Sequence, residues 1–380
     1  MTFPEIDNQT IVACLMTPRG RGAVATIAVR GCLEQLSSIA ENSPHSFFLA
    51  RNQKPLHLQT PGKILFGNWG EEELVVCRTS ADEFEIHCHG GEAAISRILS
   101  DLEKSGVSIL NAFAYLEEVF DRWEADYHQV ISQARTFHTA TLLLQQRTIG
   151  IGVWKGLEKC LDSGYWSALD EQAKESHRVT IQQMQHWASF GKHLTTPCNI
   201  VIGGLANVGK SSLINALLGF ERAIVVDQPG TTRDVVSGET ALKGWPVLFS
   251  DTAGQRETQD NLETIGIEHA VKAMQKADLQ ILLLDRSVPP GGENQLLMEN
   301  FPDALLVFNK TDLAAAVGWH DVEFPQTPLE VSCQTGEGIE KLIQTAMKKL
   351  IPQSPPASLT LPVSECQQQL LNKLISFIDD

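Results

Sequence analysis

The segment from residue 204 to residue 211 carries the clearest chemical signal in the chain. Its sequence is Gly-Leu-Ala-Asn-Val-Gly-Lys-Ser, the pattern of a phosphate-binding loop. Gly204 and Gly209 allow backbone N–H groups to close around phosphate oxygens, and Lys210 is long enough to contact the β- and γ-phosphates. Ser211 is expected to ligate Mg²⁺ at the start of a helix. The other loop residues predicted to contact the nucleotide are Asn207, Val208 and Ser212.

Two further segments restrict the predicted base to guanine. Leu305 to Phe308 is an apolar run typical of a buried strand, and Asn309-Lys310-Thr311-Asp312 follows it directly. The carboxylate of Asp312 is expected to accept hydrogen bonds from N1–H and the exocyclic amine of guanine. Adenine would leave this carboxylate unpaired, at a cost of about 1–3 kcal/mol. Ser332-Cys333-Gln334 follows a third short strand, where a backbone N–H is expected to reach the guanine O6.

A fourth segment is expected to contact the γ-phosphate. Asp251-Thr252-Ala253-Gly254 follows the apolar stretch from Pro246 to Phe249, so the aspartate is expected at a strand end, where it can hold Mg²⁺ through water. The N–H of Gly254 is expected to contact the γ-phosphate, with Thr252 and Ala253 beside it. Because all these motifs occur in the required order, the sequence predicts a GTP site. An ATPase or a chance match is the alternative.

Composition limits the class of protein. A chain of 380 residues with 43% hydrophobic content predicts a soluble globular protein of two or three domains. The net charge of −16 argues against nucleic-acid binding through a global basic field, although a local basic groove is compatible with it. No apolar run approaches the roughly 20 residues of a membrane span, and the N-terminal residues show no basic region followed by an apolar core. Neither export nor membrane insertion is therefore expected. The eight cysteines include no Cys-x-x-Cys pair, which predicts reduced thiols and a cytoplasmic location.

The pattern of apolar residues predicts three domains. Residues 1–115 alternate short β-branched runs with polar turns and are expected to form a small α/β domain. Residues 116–197 are rich in Leu, Ala, Gln and Glu at helical spacing, which predicts a helical domain. Residues 198–352 contain the nucleotide motifs and form the predicted G domain. Residues 353–380 contain a last helix that is expected to return to the helical domain, so that the G domain is an insertion.

Glycine residues predict two interruptions of the helical domain. One is expected near Gly150-Ile151-Gly152 and the other near Ser163-Gly164.

Several segments together carry a resemblance to a known family. They are the phosphate loop, Gly230-Thr231-Thr232-Arg233-Asp234, Asp251-Thr252-Ala253-Gly254, Ile265-Gly266-Ile267-Glu268 and Glu85-Ile86-His87-Cys88-His89-Gly90-Gly91. With the order of the predicted domains, they resemble the MnmE (TrmE) family of tRNA-modification GTPases over most of the chain. The resemblance implies an α/β multidomain protein whose inserted Ras-like P-loop G domain has a mainly parallel sheet. It also implies that the N-terminal domain dimerises.

The resemblance implies hydrolysis of GTP to GDP and phosphate without an arginine finger. In the family, the asparagine that matches Asn207 helps to bind K⁺ beside the phosphates. Backbone oxygens of the segment matching Val226 to Thr231, which includes Asp227 and Gln228, complete the site. The cation offsets charge that develops between the β- and γ-phosphates, and the G domains of two subunits pair across it. A turn-stabilising amide is the alternative role for Asn207.

The resemblance also assigns residues to Mg²⁺ and to the attacking water. Thr232 matches the threonine that closes on Mg²⁺, and Glu263 matches the glutamate that orients the attacking water through a second water. An ordinary solvated helix charge is the alternative for Glu263. Gln255 stands where the family usually has an apolar residue, and it resembles the water-orienting glutamine of Ras-type enzymes. The hypothesis is that Gln255 shares or replaces the role of Glu263.

The chain departs from the family at the motifs of the folate site. Alignment on Gly31 puts Ala28 in the place of the folate-binding arginine. The family's Ser-Tyr-Thr-Gly-Glu-Asp segment is reduced to the residues from Arg78 to Asp82, and its Pro-Gly-Glu-Phe-Thr and Asn-Gly-Lys elements have no counterpart around Ala112 to Phe120. We therefore predict weak or no binding of formyl-tetrahydrofolate.

Two classes of function remain open. The first, implied by the resemblance, is a K⁺-assisted GTPase that serves wobble-uridine modification of tRNA with a flavoprotein partner. The second is a diverged regulatory or assembly GTPase switch without tRNA-modifying chemistry. The family's terminal Cys-x-Gly-Lys is not matched by the residues from Ile375 to Asp380. This departure and those at the folate motifs favour the second class for the downstream role.

Overall fold

The computed structural model describes residues 11–20, 22–32, 48–220, 237–251 and 272–379. The chain divides into two compact units, Met1–Gln129 and Val130–Asp380. No helix in the described ranges combines the length and the apolar character needed to cross a lipid bilayer. The eight cysteines are all free thiols.

The first unit is built on a seven-stranded sheet. Its strands are β1 (Val12–Leu15), β2 (Val24–Arg30), β3 (Leu49–Ala50), β4 (Ile64–Trp69), β5 (Glu72–Arg78), β6 (Glu83–His89) and β7 (Ser108–Leu110). Their spatial order is β3-β4-β5-β6-β2-β1-β7. Neighbouring strands are antiparallel except β1 and β7, which are parallel. In β6, Phe84, Ile86 and Cys88 are buried and alternate with more exposed polar residues, the pattern of a strand with one face on the core.

Helices cover both faces of this sheet. Helix α1 (Glu92–Lys104) packs on one face, where its buried residues Ile95, Ile98, Leu99 and Leu102 join a cluster with the inner residues of β2, β5 and β6. Helix α2 (Ala112–Val119) buries Tyr115 against Val12, Cys14 and Ala28 on the other face. Helix α3 (Arg122–Ser132) follows it in the chain.

The second unit contains a group of helices and a second sheet. Its helices are α4 (Phe137–Lys159), α5 (Ser163–Ala168), α6 (Glu171–His186), α7 (Ala188–Lys192), α8 (Lys210–Phe220), α9 (Gly292–Asn300), α10 (Ile339–Leu350) and α11 (Glu365–Asp379). Side-chain N-caps start three of them, because Thr136, Asp162 and Asp170 each accept from a backbone N–H in the first turn. The last helix, α11, packs against α4 and α6.

The predicted interruption near Gly150-Ile151-Gly152 is wrong, because α4 continues through it from Phe137 to Lys159. A glycine inside a helix costs only about 1 kcal/mol relative to alanine. Complete burial of one large apolar side chain contributes about 1.5–3 kcal/mol, and Leu143 and Trp154 of α4 are both fully buried. The second predicted interruption is confirmed, because α4 ends at Lys159 and α5 begins at Ser163.

The second sheet has six strands and confirms the predicted α/β fold. They are β8 (Cys198–Gly203), β9 (Ser237–Leu242), β10 (Trp245–Asp251), β11 (Leu279–Asp285), β12 (Leu305–Asn309) and β13 (Leu329–Glu330). Their order is β13-β12-β11-β8-β10-β9, and only β9 is antiparallel to its neighbour. Because β8, β10, β11 and β12 run in the same direction, the residues that follow them meet at one edge of the sheet.

A tight turn joins β9 to β10 and is fastened to the start of α4. Its two residues, Lys243 and Gly244, have φ angles of 50° and 83°, the left-handed conformation that a two-residue hairpin turn requires. The hydroxyl of Thr136 donates to the carbonyl oxygen of Gly244 at 2.6 Å. Arg135 donates to both carboxylate oxygens of Glu239 on β9, at 2.9 and 2.7 Å. These contacts join the helical segment of the second unit to its sheet.

We predict that Gly244→Ala destabilises the protein more than Gly336→Ala. Both glycines are left-handed, with φ of 83° and 80°, so alanine at either position costs roughly 1–2 kcal/mol of backbone strain. At Gly244 the new Cβ would also lie 2.9 Å from Cβ of His138, whereas nothing lies within 4 Å at Gly336. The extra crowding should cost at least about 1 kcal/mol. Urea unfolding followed by tryptophan fluorescence measures both variants, and equal midpoints would contradict the close packing at the turn.

Candidate functional site

The loop from β8 to α8 has two positions that only glycine fits. Gly204 and Gly209 have φ angles of 147° and 99°. A Cβ on Gly204 would collide with the carbonyl oxygen of Leu283, and one on Gly209 would collide with the side-chain amide nitrogen of Asn309. The loop therefore packs directly on β11 and on the end of β12, which keeps its backbone N–H groups at the carboxyl edge of the sheet.

Lys210, the first residue of α8, supplies a cation at this loop. Its side chain is 9% exposed, and its ammonium group donates to the carbonyl oxygens of Gly204 and Leu205 at 3.0 and 2.9 Å. Ser211 and Ser212 follow at the exposed first turn of the helix. A buried ammonium group beside a helix N-terminus is a favourable place for phosphate. Asn207 is exposed at the tip of the loop, with a left-handed φ of 62°.

The side chain of Asn309 connects the phosphate loop to a second loop. It is 2% exposed and is the last residue of β12. Its amide nitrogen donates to the carbonyl oxygen of Val208 at 2.9 Å, and its amide oxygen accepts from the backbone N–H of Cys333 at 3.2 Å. One buried amide thus fixes the distance between the phosphate loop and the loop that follows β13.

The carboxylate of Asp312 is held by a buried serine of that second loop. The hydroxyl of Ser332, which is fully buried, donates to Oδ1 of Asp312 at 2.6 Å. Ser332 is itself held by the N–H of Thr335, which donates to its hydroxyl oxygen at 3.1 Å. Asp312 is exposed. The hydrogen bond therefore orients an accessible carboxylate, an arrangement that recognition of a guanine edge would need.

Asp285 is a site residue that the sequence reasoning missed. It is the last residue of β11, and its carboxylate accepts from the ammonium group of Lys310 at 2.6 Å. It also accepts from the N–H and the hydroxyl of Ser287 at 2.9 and 2.6 Å. Lys310 has a left-handed φ of 62°, so this ion pair helps to hold a strained residue inside the Asn-Lys-Thr-Asp segment. An aspartate directly after the apolar run of a central strand was the available signal.

Two ionisable groups of the site have shifted pKa values. Burial raises the pKa of Asp285, but the hydrogen bonds from Lys310 and Ser287 outweigh it and hold the pKa below its ordinary value. Burial raises the pKa of the Cys333 thiol to about 11, against a smaller lowering by its hydrogen bond with Asn309. At neutral pH the site therefore holds a carboxylate at Asp285 and a neutral thiol at Cys333.

Asp251 is the last residue of β10, where it pairs in parallel register with Ile202 of β8. It therefore lies beside the strand that leads into the phosphate loop. The remaining predicted site residues lie outside the described residues. They are Val226, Asp227, Gln228, Thr231, Thr232, Thr252, Ala253, Gly254, Gln255 and Glu263.

The fold and the site together define a P-loop GTPase. A phosphate loop, an Asn-Lys-Thr-Asp segment and a serine loop meet at the carboxyl edge of a mainly parallel sheet. The family model described as "50S ribosome-binding GTPase" matches residues 199–310. The protein binds GTP and is a GTP hydrolase.

The chain belongs to the family of tRNA modification GTPases named MnmE. The MnmE of Fervidobacterium nodosum is 30% identical over 91% of this chain and 81% of its own length. The MnmE of Synechococcus sp. (strain WH7803) is 31% identical over 90% of this chain and 82% of its own length. Among solved structures, Era of Aquifex aeolicus is 25% identical, with a TM-score of 0.31, over 42% of this chain and 59% of that one.

We predict that Asp285→Asn lowers the stability of the protein at neutral pH and makes that stability less sensitive to acidification. The pKa of Asp285 is lower in the folded protein than its ordinary value of 3.8. The ionised carboxylate of Asp285 therefore contributes its full stabilisation to the folded protein above the ordinary pKa. This stabilisation is lost as the pH falls through the lower, folded pKa. The urea midpoint, measured between about pH 7 and about pH 3, should fall less on acidification in the variant than in the wild type.

Asp303→Asn is the matched control for this prediction, because it removes one carboxylate from an exposed position of the same unit. Its acid profile should follow that of the wild type. A profile for Asp285→Asn that also follows the wild type would show that the ion pair with Lys310 does not stabilise the folded state.

Proposed function

We propose that the chain hydrolyses GTP by a K⁺-assisted mechanism in which the G domains of two subunits pair. The observation that carries the GTP site of this proposal is the pair of contacts at the carboxyl edge of the sheet. Asn309 holds the phosphate loop, and Ser332 orients the carboxylate of Asp312. Residues 198–352 act as the G domain, 116–197 and 353–380 as the helical domain, and 1–115 as the dimerisation domain.

The residues at the phosphate loop fit Mg²⁺ and K⁺ by their chemistry. The hydroxyls of Ser211 and Thr232 and the carboxylate of Asp251 are hard oxygen donors of the kind Mg²⁺ takes. For K⁺, the proposed ligands are oxygens of Asn207, Val226, Gln228 and Thr231. Bound cations would neutralise charge on the phosphates. Asn207 is exposed on the phosphate loop, and this exposure supports a ligand role.

The chain's own groups perform the other steps. Lys210 replaces its contacts with loop carbonyl oxygens by contacts with phosphate oxygens. Asp312 accepts two hydrogen bonds from the guanine edge, while its Oδ1 stays fixed by Ser332. Glu263, Gln255 or both orient the attacking water. GTP turnover by the single variants Glu263→Ala and Gln255→Ala would identify the residue that does so. An unchanged rate in Gln255→Ala would remove the glutamine from the mechanism.

We further propose that this GTPase acts in tRNA modification at wobble uridines, as a homodimer with a flavoprotein partner. The name that its relatives share, tRNA modification GTPase, supports the part in tRNA modification. Mass spectrometry of wobble uridines from a deletion strain tests it. Loss of the modified nucleosides is expected, and unchanged nucleosides would instead favour a regulatory or assembly GTPase switch.

One observation in the first unit favours the second candidate function, a regulatory or assembly GTPase switch. Ala28, at the place of the folate-binding arginine, is 3% exposed and packs with Val12, Cys14 and Tyr115. The cation at the shortened folate segment, Arg78, already donates to four carbonyl oxygens: those of Ser80, His57, Gln59 and Ala81. These contacts support weak or no folate binding, since a folate carboxylate would have to displace them. Micromolar affinity in isothermal titration would overturn this.

The K⁺ proposal predicts that GTP turnover in KCl exceeds turnover in NaCl by at least about tenfold. The difference between turnover in KCl and in NaCl should increase with protein concentration, because the proposed mechanism needs two paired G domains. Equal turnover in the two salts at every protein concentration would overturn the proposal.

Asn207→Gly separates the two roles considered for this asparagine. Glycine adopts the left-handed conformation without strain, so a residue that only stabilises the turn should be replaced without loss of activity. A K⁺ ligand should not be, because glycine lacks the amide oxygen. We expect the variant to bind GDP normally and to lose the difference between KCl and NaCl.

A further inference from the structure

A cavity of ≈ 500 Å³ lies inside the second unit. It is open to solvent on one side, and it is lined by helices α4 and α7, the turn between β9 and β10, the end of α10 and the segment that follows α10. Its size falls within the range of small-molecule sites. Of the described nucleotide-site residues, none is among those that line it, so it is a separate site in the same unit.

One wall of the cavity is aromatic and rigid. Trp245, which is 7% exposed, lies edge to face with His138 at 5.3 Å between ring centroids and with Phe190 at 5.1 Å. Both arrangements are favourable for aromatic rings and fix the orientation of the indole. Apolar side chains continue the lining: Leu142, Leu194, Met347 and Ile351.

A buried side-chain amide holds another part of the lining in place. Gln146 of α4 is 7% exposed, and its amide nitrogen donates to the carbonyl oxygen of Leu359 at 3.0 Å. Its amide oxygen accepts from the N–H of Leu361 at 2.7 Å. These two hydrogen bonds fasten the segment after α10 to α4. The cavity is therefore preformed, which lowers the entropy that a ligand would lose in ordering it.

The charges of the lining are of one sign. Lys243 and Lys348 line the cavity at exposed positions, and no aspartate or glutamate is among the described lining residues. This contrasts with the whole chain, which has 46 acidic and 30 basic residues. Lys243 occupies the tight turn before Trp245, and Lys348 the last turn of α10. The cavity thus combines an apolar interior with a cationic mouth.

We propose that this cavity binds a small amphipathic anion, whose apolar body packs on Trp245 and whose acidic group lies between Lys243 and Lys348. An acidic group on the ligand would be attracted to both ammonium groups, and an uncharged apolar ligand would lack this attraction. A strongly polar anion would gain nothing from the apolar walls. A compact hydrocarbon or aromatic acid satisfies both parts of the site.

Two matched fluorescent probes test the proposal on the full chain: anilinonaphthalene sulfonate, and N-phenylnaphthylamine, which lacks its sulfonate. The anion should bind saturably at one site, at least about tenfold more tightly than the neutral probe, as expected for about 1.4 kcal/mol from two partly exposed charges. The double variant Lys243→Asn/Lys348→Gln should lose that difference and keep the affinity for the neutral probe. Asparagine suits the left-handed turn position, so the variant should fold.

Lys341→Gln/Lys373→Gln is the control, because it removes the same charge from exposed positions outside the lining. Leu142→Trp adds bulk at a half-buried wall position and should exclude both probes while circular dichroism stays unchanged. Loss of sulfonate affinity in the first double variant alone supports the proposal. Equal affinity in both double variants, equal affinity of the two probes, or no saturable binding by the wild type would overturn it.

Discussion

The candidate nucleotide site depends on one buried side-chain amide. Asn309 donates to the carbonyl oxygen of Val208 and accepts from the N–H of Cys333, so the phosphate loop and the loop that follows β13 cannot move apart without breaking a buried hydrogen bond. Gly209 is required at the same point, because its Cα faces the Asn309 amide nitrogen. The amide is uncharged and satisfied at both ends, and breaking either bond would cost the desolvation of a polar group.

The parallel sheet supplies the position of this amide. Strands β8, β11 and β12 are buried and run in the same direction, so the phosphate loop, Asp285 and Asn309 emerge at the same edge. Lys310 then adopts a left-handed conformation, and its ammonium group pairs with Asp285. Local strain in the Asn-Lys-Thr-Asp segment is thereby offset by an ion pair from the neighbouring strand.

The parts that were predictable from sequence are those that act locally. The phosphate loop and the Asn-Lys-Thr-Asp segment follow directly from residue type and spacing, and the apolar run from Leu305 to Phe308 predicted its strand. The role of Asp285 depends on its ion pair with Lys310, which follows the neighbouring strand β12. One sequence does not reveal which strands are neighbours. The unbroken α4 was mispredicted because burial of Trp154 outweighs glycine propensity. The contact of Gly244 with α4 joins positions more than a hundred residues apart, which no local pattern encodes.

The affinity of Asn309→Asp for GDP tests the central claim most directly. The aspartate has nearly the same shape and can still accept from the N–H of Cys333, but its carboxylate cannot donate to the carbonyl oxygen of Val208. With the phosphate loop released and two oxygens repelling each other, GDP affinity should fall by at least about 100-fold, or roughly 2.7 kcal/mol, in a variant whose circular dichroism is unchanged. An affinity within about threefold of the wild type would show that the site does not depend on this amide.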